Sequence, residues 1–111
     1  MSASDNVEHG VGPVLHATPF ALAVISVIED ENREAVIIDE GAYLRVLAPR
    51  VCRLSRVGLE TATGPGIRFP GDLEVVMSSF TGVLELSEDG AVWRIANEPS
   101  VDSDAAPKGT R

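Results

Sequence analysis

Residues 20–28 are the longest apolar stretch of the chain, and they follow directly on Thr18-Pro19. Any fold of this sequence has to bury that stretch. Nine residues are too few to cross a bilayer, which takes about twenty in a helix, so the burial must be inside protein. Thr18 offers a hydroxyl N-cap, and Pro19 suits the first helical position, where its missing N–H costs nothing. Phe20, Val24 and Ile28 recur at steps of four, as do Ala21 and Ile25, which puts them on one side of a helix. Periodicity alone would also allow a buried strand, because several of these residues are β-branched. The cap favours the helix, and Glu29-Asp30-Glu31-Asn32 would close it in solvent. Three acids at that end oppose the helix macrodipole.

The segments around this helix alternate in a different way. Residues 11–17 read as a first strand, 35–39 and 43–48 as two more around the turn Glu40-Gly41, and 51–54 as a fourth. Ser55 can cap a short helix running to Thr63; Gly58 weakens it, leaving it short or frayed, and Gly64-Pro65-Gly66 ends it. Leu73, Val76, Met77 and Phe80 lie at i, i+3, i+4 and i+7, which predicts a helix over residues 71–79 with one face inward. Residues 82–87 and 91–96 read as a hairpin around the three-residue loop Glu88-Asp89-Gly90. The order predicts an α+β fold with helices packed on a mainly antiparallel sheet. Its single domain would span residues 11–96, between a flexible segment at 1–10 and a flexible acidic tail at 97–111.

Charge and cysteine content narrow the function. Nine Lys and Arg against 17 Asp and Glu give a net charge of −8. With no basic cluster to offset it, the chain would repel phosphate backbones, so nucleic acid is excluded as a partner. The one cysteine, Cys52, can form no internal disulfide, iron–sulfur site or thiolate zinc site, and it reads as a small core hydrophobe. Cys52, the absence of a basic-then-apolar leader, and the absence of a membrane-length apolar run together predict a cytoplasmic protein.

No catalytic or metal-binding set emerges from the remaining residues. His9 and His16 have no helical metal-ligand spacing and read as a tail residue and a strand neighbour. Asp30-x-Asn32-x-Glu34 lacks the glycine and the closing carboxylate of a calcium loop. Gly10-x-Gly12 and Gly64-Pro65-Gly66 read as turns, because Pro13 and Pro65 remove donors that a phosphate cradle would use. Ser78-Ser79 lies outside any nucleophile elbow. A binding or regulatory role is therefore favoured over catalysis.

Several segments then point to one family. Val11-Gly12-Pro13-Val14, Ala42-Tyr43-Leu44-Arg45-Val46, Leu54-Ser55-Arg56 with Leu59-Glu60, and Asp72-Leu73-Glu74-Val75 leading into Ser78-Ser79-Phe80-Thr81-Gly82 occur in that order. Together they resemble the coupling, or effector, proteins of bacterial multicomponent diiron monooxygenases, the toluene and alkene type in particular. The resemblance implies two β-α-β-β-like halves, no cofactor and no catalysis by the chain itself. It implies docking on the diiron hydroxylase component, tuning of its active site, and competition with the electron-donating component for a shared surface. It also assigns the partner-facing patch to Ser78, Ser79, Phe80, Thr81 and Gly82. Phe80 carries two readings, as an anchor in a partner's pocket or as the end of the apolar face begun by Leu73. A ferredoxin-like module that senses a small ligand in a sheet–helix crevice is the alternative.

Overall fold

The computed structural model describes residues 10–95. The chain runs β1 (Gly12–His16), α1 (Pro19–Glu31), β2 (Val36–Asp39), β3 (Tyr43–Leu47), β4 (Val51–Ser55), α2 (Arg56–Thr63), α3 (Gly71–Val76), β5 (Met77–Thr81), β6 (Val83–Ser87) and β7 (Gly90–Arg94). The expected flanking segments lie outside the described residues, apart from Gly10, which is buried.

Local signals account for most of these elements. The Thr18 hydroxyl accepts the Ala21 N–H at 3.1 Å, and Pro19 opens α1. Ala21, Val24, Ile25, Val27 and Ile28 are buried, so the four-residue spacing does put one side of the helix into the core. The Ser55 hydroxyl accepts the Gly58 N–H at 2.9 Å and starts α2. That helix is complete from Arg56 to Thr63 despite its glycine. A Cβ at Gly58 would lie 2.6 Å from Glu31 Oε2, 2.8 Å from Ser55 Oγ and 2.9 Å from Val27 Cγ1. The residue that reads as a weak point is one where α2 packs tightly against α1.

The strands divide between two antiparallel sheets, ordered β2-β3-β1-β5 and β4-β7-β6. The element order agrees with two similar halves packing helices on sheets. Sheet membership crosses between those halves, because β5 leaves the second to become the outer strand beside β1. One core joins both sheets to the helices, with Leu15, Val24, Ile28, Leu59, Leu73 and Trp93 fully buried. Each such side chain contributes about 1.5–3 kcal/mol relative to an exposed one.

Three local expectations are corrected. The third helix stops at Val76, and Met77, Ser78 and Ser79 belong to β5. The β6–β7 turn is shorter than predicted: Ser87 pairs with Gly90 around Glu88 and Asp89 alone. Gly12 is a strand residue packed against the Val46 carbonyl, not a turn glycine.

Candidate functional site

Reactive chemistry finds little support in the packing. Cys52 is fully buried on β4, and burial, reinforced by the nearby Glu31 carboxylate, pushes its thiol up from 9.0 to about 12. A thiol so disposed stays protonated and is a poor nucleophile. His16 ends β1 with its ring 5.0 Å from that of Tyr43, its cross-strand neighbour. Among the described residues no three of His, Cys, Asp and Glu gather as a metal set. No described helix is long and apolar enough to cross a membrane.

The region of interest is β5 with Gly82. Leu73 and Val76 satisfy the inward helical face, and both are buried. Beyond them lie two serines, an aromatic and a β-branched residue, which favour strand over helix. The chain here extends along β1, pairing Ser79 with Val14, Phe80 with Pro13 and Thr81 with Gly12. The register shifts between Val14 and Leu15, where Ser78 is the extra residue of a β-bulge. The Ser78 hydroxyl donates to the Val14 carbonyl at 3.3 Å. Bulges re-aim side chains, and Ser78, Ser79, Phe80 and Thr81 are all exposed.

Phe80 is 43% exposed, which excludes its reading as the end of a buried helical face. Its backbone also faces outward. Val11 exchanges both backbone hydrogen bonds with Ala48, so β1 alternates toward β3 at Val11, Pro13 and Leu15 and toward β5 at Gly12 and Val14. Phe80, opposite Pro13, therefore turns its N–H and C=O away from β1. β5 is the last strand of its sheet, so that edge is open among the described residues.

Gly82 carries the chain from one sheet to the other. Its φ is +100°, and a Cβ there would sit 2.4 Å from the Arg94 carbonyl oxygen and 2.8 Å from Val11 Cγ1. Only glycine meets both demands. Four of the five residues singled out from the sequence thus form one continuous exposed run, and the fifth, half-buried Gly82, is fixed by packing.

Two neighbours were missed. Val75 on α3 is 78% exposed and Val83 on β6 is 46% exposed, close in sequence to the run on either side of it. The signal that could have found them is absence of charge: residues 75–84 contain no Asp, Glu, Lys or Arg in a chain that is 23% charged. Residues 20–28 are also uncharged, but Ala21, Val24, Ile25, Val27 and Ile28 of that stretch are buried. An exposed stretch depleted of charge and bearing apolar anchors has the composition of an interface core.

Comparison with known proteins follows the same outline. A model of the MmoB/DmpM family matches residues 9–94. The effector subunit of the alkene monooxygenase system of Xanthobacter autotrophicus strain Py2 is 35% identical over 94 residues, covering 83% of this chain and 92% of that protein. Chains from two structures of a phenol hydroxylase–regulatory protein complex superpose with TM-scores of 0.70 and 0.67. They share 15% and 17% identity, cover 76% of this chain in each case, and are themselves covered to 95% and 96%. At that identity the likeness concerns the fold.

Proposed function

Because the chain belongs to the MmoB/DmpM family, we propose that it is the effector subunit of a multicomponent monooxygenase, docking on the diiron hydroxylase component through β5. It supplies no reactive atom. Binding favours one conformation of the hydroxylase, so the effect is a population shift set by the difference in affinity between two states. Through that shift the protein raises turnover and couples NADH use to hydrocarbon hydroxylation or epoxidation. It shares its docking surface with the electron-donating component and acts in the cytoplasm.

The observation that carries this reading is the exposed, uncharged run from Ser78 to Thr81, followed closely by exposed Val83, beside an open strand edge. Small hydroxyl side chains at Ser78, Ser79 and Thr81 let a partner's backbone approach closely, while Phe80 offers a central anchor. The curated relative carries the corresponding role in its name. A ligand-sensing module calls instead for an enclosed pocket. Among the described residues, two clefts of about 450 and 480 Å³ are open surface grooves with Glu and Arg side chains in their lining.

Reconstitution tests the proposal. Adding the protein to its own hydroxylase and electron donors is expected to raise both product formed per NADH and the turnover rate, saturably. Unchanged values at saturating protein would refute it.

A further inference from the structure

We infer, building on the docking reading above, that the interface continues past Gly82 onto the outer face of the β4-β7-β6 sheet and there meets acidic side chains of the hydroxylase. The register sets this face. Val51, Arg94 and Val83 lie side by side across the three strands, and Arg53, Val92 and Glu85 form the next row. The opposite face carries Cys52, Leu54, Ala91 and Trp93 into the core. The outer face therefore presents valines between charged residues, and among the described residues Arg53, Val83, Glu85 and Arg94 on it are exposed.

This surface is continuous with the β5 patch. Gly82 packs against the Arg94 backbone, and Val83, the next residue, is cross-strand partner to Arg94. Arg94 and Arg50 share a cleft with Val51 and Ile95, and Arg50 shares the adjoining cleft with Arg33 and Arg53. Four of the seven described arginines thus lie on this side of a chain whose net charge is −8.

Their acidic neighbours are Glu31, Glu34 and Glu85, and two of the three are engaged. Glu85 pairs with Arg94 at 3.2 Å, and Glu31 accepts from the Ser55 backbone and hydroxyl at 2.8 and 2.5 Å. Arg33 and Arg53 form no ion pair among the described residues, whereas Arg45 and Arg56 are paired with Glu40 and Glu60. An apolar centre at Phe80 and Val83 with exposed guanidinium groups to one side fits an apolar partner surface bordered by Asp and Glu. Rim charges of this kind act on association rate and salt dependence, since exposed charges are screened within about 10 Å at 0.1 M salt.

The test is binding of the full-length protein to its purified hydroxylase across a series of NaCl concentrations. Wild type is compared with Arg33→Glu/Arg53→Glu, Arg53→Lys and Phe80→Ala. Arg53 is held in the fold through its backbone, so these side chains can be changed with the strand in place; circular dichroism checks that. The double reversal is expected to weaken binding about tenfold at low salt, through slower association, and to change the salt slope. Arg53→Lys should behave as wild type. Phe80→Ala should weaken binding at every salt concentration with the slope unchanged. A double reversal that matches wild type in affinity and slope, while Phe80→Ala binds weakly, overturns this inference and leaves the docking reading standing. Wild type that fails to bind at any salt overturns both.

Discussion

The side-chain amide of Asn32 is hydrogen-bonded to both backbone groups of Arg53: Nδ2 donates to the Arg53 carbonyl at 2.7 Å, and the Arg53 N–H donates to Oδ1 at 2.8 Å. In this way the end of α1 does the work of a neighbouring strand along the free edge of β4. Glu31 extends the same closure to Ser55. An open edge invites pairing with other chains, and this protein closes one at β4 while leaving the Phe80 backbone facing outward on β5.

Replacing Asn32 with Ala leaves the Arg53 N–H and C=O without their side-chain partner and removes a bond to the Ile28 carbonyl at the helix end. A loss of about 1–3 kcal/mol is expected, softened where water reaches the freed groups. Urea denaturation of the two proteins measures it, and equal midpoints with equal slopes would show that the bracket contributes nothing.

Gly58→Ala sets two effects against each other. Helix propensity alone favours alanine by about 1 kcal/mol. The added methyl would meet Glu31, Ser55 and Val27 at 2.6 to 2.9 Å, so Val27 must shift and the hydrogen-bonded Glu31 and Ser55 side chains must give way. Overpacking typically costs about 1–3 kcal/mol, and the variant should be less stable than wild type. A higher thermal midpoint would reverse that ranking.

Cys52 gives a prediction in pH. Its thiol is held at about 12 in the fold against an ordinary value of 9.0, so the folded state keeps a proton that the unfolded state releases. The resulting contribution is fully present below about pH 9 and is lost as pH rises from there toward about 12. The native protein should also resist thiol reagents at pH 8 and react promptly in denaturant. Rapid labelling of the folded protein would contradict this account of the thiol.

Ser79→Trp enlarges an exposed side chain on β5. Stability should change by no more than about 0.5 kcal/mol, as is usual at the surface, while affinity for the hydroxylase falls at least about tenfold. Wild-type affinity with an unchanged circular dichroism spectrum would remove Ser79 from the interface.

Much of the fold was legible because its signals are local. Thr18 and Ser55 cap the helices that their sequence context announces, and the spacing from Ala21 to Ile28 marks the buried side of α1. The end of the third helix was not legible, since Met77 and Phe80 fit a helical period that strand pairing with β1 overrides. Nor was the Asn32–Arg53 bracket: it spans 21 residues, and the acidic end of α1 reads as solvated until β4 is placed beside it. The five site residues were found through family resemblance. The exposure of Ser78 to Thr81, the bulge at Ser78 and the crowding at Gly82 come only from the packing.

Amide hydrogen exchange on the full-length protein, alone and with saturating hydroxylase, addresses the central claim most directly. In the free protein the outward-facing Phe80 N–H should exchange quickly, since it has no strand partner on that side. With hydroxylase present, protection is expected to concentrate on residues 77–83. Protection appearing elsewhere while that segment exchanges as before would contradict docking through β5.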